Sequence, residues 1–240
     1  MPIISFILLV LVRTLSRLLY RFEVEWVGEV SDDPWNNLRV VAILNHTSLY
    51  EPILIGVAPL RFVWQVAVHG VVPVAAKTME RPVTGRFFRL LIANAVSISR
   101  KRDDTWQAVL ERVDDPRSMM VILPEGRMKR PDGLDWRGQP MTVRGGIADL
   151  LKAAESGRLL LVYSAGLHHI QQPGQRWPKL FQPVRLRLEV IEVAEYRRQA
   201  RQETGIGNLR GAVIADLTRR RDLYCAATAR DETASPTRPH

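Results

Sequence analysis

The chain has a single cysteine, Cys225, among its 240 residues. That excludes an internal disulfide and any multi-cysteine zinc or iron–sulfur site, and a reducing compartment is the simple reading. Glycine-rich nucleotide signatures are missing as well. There is no Walker A sequence, and Gly205, Gly207 and Gly211 neither match dinucleotide spacing nor follow a strand. Ser164 lies in VYSAG, which lacks the first glycine of a nucleophile elbow, and no HExxH occurs. These absences argue against a nucleotide hydrolase, a dehydrogenase, an ordinary α/β-hydrolase and a zinc peptidase. Neither an internal repeat nor a low-complexity tract interrupts the chain. His168-His169 has no carboxylate or cysteine near it in sequence, so two adjacent histidines make no metal site, and none is expected.

What is present begins with apolar residues, 46% of the chain, enough for one packed domain, and a formal net charge of +9 carried mostly by arginine. Arginine forks phosphate and carboxylate oxygens, so nucleic acid, an anionic membrane and a phosphorylated small molecule all fit as partners. The N-terminus narrows the choice. Residues 1–12 are almost wholly apolar, and Arg13, Arg17 and Arg21 then recur every fourth residue. The apolar stretch is shorter than the roughly 20 residues a spanning helix needs. Its charge follows the apolar run instead of preceding it, unlike a signal peptide. The pattern predicts a helix lying in or dipping into a membrane interface with arginines at the headgroups. A tilted span, or a helix buried on the protein's own core, also satisfies it.

Along the chain, residues 22–27, 39–44, 62–68, 95–99, 119–123 and 159–164 read as strands, and 184–193 as an edge or half-exposed strand. Residues 84–92, 103–113 and 146–155 read as helices, and Pro52 marks a helix start. Strands alternating with helices predict an α/β single-domain sandwich with a central, partly parallel sheet flanked by helices, behind the N-terminal membrane-associated helix. The expected division is helix 1–22, central domain 23–195, and a charge-dense segment 196–240 with one further helix over 209–227 and a disordered tail from 231. Trp26 and Trp35 suit either the core or an interface. Residues 142–146 precede a helix, where backbone N–H groups meet a phosphate or simply begin the helix.

Three polar clusters each follow a candidate strand: NHTSLYEP at residues 45–52, SISR at 97–100 and PEGRMKR at 124–130. Parallel strands bring such clusters to one sheet edge, where sites collect. On a continuous helix His46 and Glu51 would point about 140° apart. With the helix starting only near Glu51, the carboxylate can curl back to one imidazole nitrogen and leave the other free to take a hydroxyl proton; a histidine capping the helix with a glutamate on its surface fits the spacing equally well.

NHTSLYEP, AVSISR and LPEGR resemble, in order and spacing, three boxes of the glycerolipid acyltransferase superfamily, over roughly residues 23–165. The resemblance, strongest to bacterial 1-acylglycerol-3-phosphate acyltransferases, implies transfer of a fatty acyl group from acyl-CoA or acyl carrier protein to a lysophosphatidate-like hydroxyl in phospholipid synthesis. It implies His46 as general base and Glu51 as its orienting carboxylate. Asn45, Arg100, Glu125, Gly126, Arg127, Lys129 and Arg130 are the residues it implies at the substrate site, with Arg100 on the acceptor's phosphate. It further implies no cofactor or metal, no nucleic acid partner, and a place on the cytoplasmic face of the inner membrane. Two departures stand out. Glu51 replaces an Asp, and Met128 holds the usual phosphate-binding arginine position, leaving Arg127, Lys129 or Arg130 to supply the charge. Glycerol 3-phosphate or another lysolipid as acceptor, hydrolysis of the thioester, and a non-enzymatic basic binding protein are the competing readings.

Overall fold

The computed structural model describes residues 2–92, 94–99, 103–172, 175 and 177–230. Helix α1 spans Pro2–Leu19, followed by strands β1 (Arg21–Trp26) and β2 (Leu38–Leu44), and a 3-10 turn at Glu51–Val57. Then come α2 (Leu60–His69), β3 (Gly70–Ala75), α3 (Ala76–Met79), α4 (Pro82–Leu91), β4 (Asn94–Ile98), α5 (Asp104–Val113) and β5 (Met119–Ile122). The chain continues through α6 (Gly146–Ala153), β6 (Arg158–Ser164), β7 (Pro183–Glu192), α7 (Val193–Thr204) and α8 (Leu209–Arg230).

The strands form one seven-stranded sheet in the order β1-β7-β6-β2-β5-β3-β4. Every neighbouring pair is parallel except β6 with β7. β2 is buried on both sides, as a central parallel strand must be, and its RVVAIL run supplies the apolar side chains for both layers. Val40, Ala42 and Leu44 point into one core with residues of α5, α6, α7 and α8. Leu38 and Val41 point into the other, with α1, the 3-10 turn and α2.

The 62–68 segment is helix, not strand. Phe62, Val63, Val66 and Ala67 are buried while Arg61 and Trp64 are exposed, which is a helical face and not an alternation. The β-branched and aromatic residues that suggested a strand are serving as the apolar stripe of α2. The strand is the next segment, β3, disguised by Pro73. β5 pairs with β3 only at Gly70 and Val71, so Pro73 lies where that ladder has already ended. Nor is β7 an edge: it lies between β6 and β1, burying Val184, Leu186 and Leu188. On its other side Arg185 and Arg187 pair with Glu23 and Glu25 of β1. Helices α7 and α8 contribute Tyr196, Ala200, Ala212, Val213 and Leu217, all fully buried, to the same core as β2. The expected tail from 231 lies outside the described residues.

Candidate active site

β2, β5, β3 and β4 run parallel, so the segments that follow them emerge at one sheet edge. β2 and β5 are neighbours, which sets the His46 loop against the Pro124-Glu125-Gly126 turn. β4 is two strand spacings from β5, about 10 Å away. Arg100, expected on the acceptor's phosphate, lies outside the described residues. Just before it, the Ser99 N–H donates to Thr105 Oγ1 at 3.0 Å, and Asp103 caps α5.

Asn45 turns the chain out of β2 with φ of 66°, a left-handed conformation that asparagine tolerates. The loop is then pinned on several sides. The Glu125 carboxylate, buried, accepts the N–H of Asn45 at 3.0 Å and that of His46 at 2.8 Å. The His46 carbonyl accepts the N–H of Lys129 at 2.7 Å. Thr47 Oγ1 accepts the N–H of Leu167 at 2.7 Å, and Asn45 Nδ2 donates to the Ser164 carbonyl at 2.9 Å. Glu125 therefore acts on the loop's backbone. It holds His46 in place from the turn that follows the neighbouring strand. Gly126 has φ of 62°, and a Cβ there would meet nothing closer than 3.9 Å, so the left-handed turn is what calls for glycine.

His46 Nδ1 lies 3.0 Å from Glu51 Oε1. That oxygen also accepts the N–H groups of Thr47 and Ser48, each at 2.9 Å. The ring N–H is not well aligned on Oε1, so the contact is an ion-pair approach more than a linear hydrogen bond. The longer glutamate reaches the ring because the 3-10 turn starts at Glu51 itself, with Pro52 in its first turn. Burial pulls the His46 pKa down, but the charge of Glu51, the contact with it and the charge of Glu125 outweigh burial, and the net shift is upward from 6.5. A histidine so placed is a stronger base than free imidazole.

Other nucleophiles are unsuited. The Cys225 thiol is pushed up to about 12 by burial. Ser164 is buried, and its Oγ accepts the N–H of Gly166 at 3.1 Å. His168 and His169 each direct Nε2 at a backbone carbonyl, of Lys129 and Pro183 respectively, both at 2.7 Å. No group of three or more metal-ligating side chains occurs among the described residues. The entry to α6 is occupied by the protein itself: the Arg210 guanidinium lies over Gly145 and the Trp106 ring over Gly146.

Of the basic residues after Gly126, Arg127 is paired with the fully buried Asp135. Lys129 and Arg130 instead line a cavity of about 360 Å³ together with Asn45, Thr47, His168, Arg221 and others. Arg221 of α8 escaped sequence reasoning, because it sits in the charge-dense run at 219–222 with nothing to distinguish it from its neighbours. A larger hollow of about 510 Å³ between α5 and α6 shares no residue with the His46 loop.

The family model described as Acyltransferase matches residues 27–167. No curated protein matches the chain. Among solved structures, the fold is similar to the 1-acyl-sn-glycerophosphate acyltransferase PlsC from Thermotoga maritima, with a TM-score of 0.55. The two are 17% identical, over 96% of this chain and 81% of that one.

Proposed function

The chain belongs to the acyltransferase family, and from that premise we propose that it transfers a fatty acyl group from an acyl thioester to the hydroxyl of a lysophosphatidate-like acceptor at a membrane surface. The observation that carries the reading is the His46–Glu51 pair, 3.0 Å apart in a loop held by Glu125. His46 takes the acceptor's hydroxyl proton as that oxygen attacks the thioester carbonyl. The tetrahedral intermediate collapses with cleavage of the C–S bond, and the imidazolium returns its proton to the departing thiolate. Transfer is direct, without an acyl-enzyme, a metal or a cofactor beyond the thioester, which is acyl-CoA or acyl carrier protein. The inert surroundings of Cys225 and Ser164 support direct transfer.

The membrane half of the proposal is supported by α1. Its buried residues Ser5, Leu9 and Ser16 lie about 160–200° around the helix from Ile7. Ile3, Ile4, Ile7, Leu11, Leu15 and Leu18 form the opposite, exposed stripe. Leu60 and Trp64 of α2 and Phe87 and Leu90 of α4 add exposed apolar side chains on the same layer. With the active site reached from the cytoplasm, this layer faces the inner membrane.

The test is thiol release from acyl-CoA with a panel of lysolipids and glycerol 3-phosphate. Wild type is expected to turn over fastest with lysophosphatidate, and His46→Ala to lose about 10²- to 10⁴-fold in rate. Undiminished turnover by the His46 variant would overturn the mechanism. Preference for another lysolipid would retain the chemistry and reassign the acceptor, a reading that Met128 in the phosphate-binding position of the third box favours.

A further inference from the structure

The segment between β6 and β7 is bonded to the His46 loop at one end and carries exposed aromatic residues at the other. β7 and β1 start at the sheet edge where β2 and β6 end, because β6 and β7 are antiparallel. The segment therefore lies at the edge that holds His46. Its first half packs on the His46 loop: the Leu167 N–H donates to Thr47 Oγ1 at 2.7 Å, and Ser48 Oγ donates to Gln171 Oε1 at 2.9 Å. Its second half adjoins the end of α1. The Phe181 N–H donates to the Leu19 carbonyl at 2.6 Å, and the Gln182 carbonyl accepts the Arg21 N–H at 3.2 Å.

The apolar side chains of that second half face outward. Trp177 is 76% exposed, Phe181 is 64% exposed, and Leu180 is exposed as well. Among the described large apolar residues Trp177 is the most exposed, followed by Leu18 in the last turn of α1. Phe181 has φ of 60°, a left-handed conformation that a bulky aromatic residue rarely adopts, and main-chain bonds on both sides hold it there. The charge around the group is of one sign. Residues 156–188 contain no aspartate or glutamate. Lys179, Arg17 and Arg21 are exposed, and Glu23 of β1 already pairs with Arg185 at 2.8 Å. Aromatic rings set among lysine and arginine suit the boundary of an anionic bilayer, with the rings at the acyl chains and the cations on the phosphates. The group also adjoins the end of the exposed stripe of α1, at Leu15 and Leu18.

We propose that residues 177–181 are a second point of attachment to an anionic bilayer, with Trp177, Leu180 and Phe181 at the headgroup boundary and Lys179, Arg17 and Arg21 on lipid phosphates. One helix on a surface fixes the protein along a line. A second contact at the end of that helix fixes which edge of the sheet meets the lipid. The His46 loop, bonded to the same segment, is then held at the bilayer surface, where an acceptor lipid presents its hydroxyl. The lipid contact extends the membrane reading of α1, and its consequence for the acceptor rests on the acyl-transfer reading.

The double variant Leu180→Ser/Phe181→Asn removes two of the apolar side chains and keeps at 181 a residue that tolerates the left-handed backbone, so its melting temperature should hold. Its partitioning to vesicles of phosphatidylglycerol and phosphatidylethanolamine should fall about twentyfold. Trp177 emission, taken as the difference between wild type and Trp177→Phe, should shift to shorter wavelength on these vesicles and be quenched by brominated acyl chains. Both results are required: unchanged partitioning, or Trp177 emission that ignores lipid, would overturn the attachment. A wild type that is dimeric without lipid, with a monomeric double variant, would assign the surface to a second copy of the chain and overturn it too. None of these measurements needs turnover, so an inactive wild type would remove the acyl-transfer reading and leave the attachment to be judged by them. With an active wild type, the double variant should raise the KM for long-chain lysophosphatidate in vesicles about tenfold and leave that for a short-chain, soluble lysophosphatidate unchanged. Equal rises for both would mean that the segment acts through Gln171 and Ser48 instead of through lipid, and would overturn its orienting role.

Discussion

On one face of the sheet the outer helices end in apolar side chains; on the other they end in ion pairs. The α1, α2 and α4 side leaves Ile7, Leu11, Trp64 and Phe87 uncovered. The α7 and α8 side is closed by Arg220, 7% exposed, which reaches Asp216 and Glu189 at 2.8 and 2.7 Å. Tyr163, whose pKa burial raises, donates to Glu189 from β6. Arg219 adds a second contact to Asp216 at 2.8 Å. On the second face Arg219, Arg220, Asp216 and Glu189 pair with one another. The first leaves its outer apolar stripe uncovered by the rest of the chain. The His46 loop emerges at the strand ends between the two layers.

The largest test of this contrast is Arg220→Ala. It leaves Asp216, fully buried, with the half-exposed Arg219 as its remaining cation, and should cost about 3 kcal/mol, the low end for a broken buried pair. At about 2–4 °C per kcal/mol for a chain of this size, the melting temperature should fall by about 10 °C. Vesicle binding by the folded variant should be unchanged, because the network lies on the other face. A fall in melting temperature below about 2 °C would show that the second face is not held by its charges.

Next in size is Glu51→Gln, which sharpens the account of the edge between the faces. His46 must be neutral to act as base, so the rate rises with pH through its pKa, which Glu51 raises. Removing that charge lets the His46 pKa fall, so the acid limb of the rate profile should move to lower pH. The plateau should fall about 10²-fold, as the ring loses its orienting partner. A limb that stays where it is would mean that Glu51 does not act on His46.

Much of this arrangement is written in local pattern. The buried β2 run, the capped α5 and the three polar clusters after strands are all short-range signals, and the sheet edge follows from them once the strands are parallel. Residues 62–68 read as a strand because β-branched and aromatic residues suit a strand and the apolar stripe of a buried helix equally well, and only tertiary packing decides. Pro73 hid β3 for a related reason: whether a strand tolerates proline depends on where its neighbour's ladder stops. At the site, the His46–Glu51 pair was legible, but the backbone role of Glu125 was not, since a carboxylate facing another strand's N–H groups leaves no mark in spacing. Arg221 lies 175 residues from His46, and only the packing of α8 brings it to the cavity.

The smallest expected effect is the most direct comparison of the two faces. Leu11 on α1 is 51% exposed and Leu223 on α8 is 52% exposed, so the same change to serine removes a similar apolar side chain from each face. Neither should alter folding stability by more than about 0.5 kcal/mol, because each already faces outward. If lipid covers the first face, burying the exposed half of Leu11 contributes about 1 kcal/mol, or about fivefold in partitioning to anionic vesicles. Leu11→Ser should then bind vesicles about fivefold more weakly while Leu223→Ser binds as wild type does. Added salt should weaken all three proteins alike, since the arginine charges are the same in each. Equal losses from both variants would mean that lipid binding is spread over the basic surface, and the contrast between the faces would then have no bearing on the membrane.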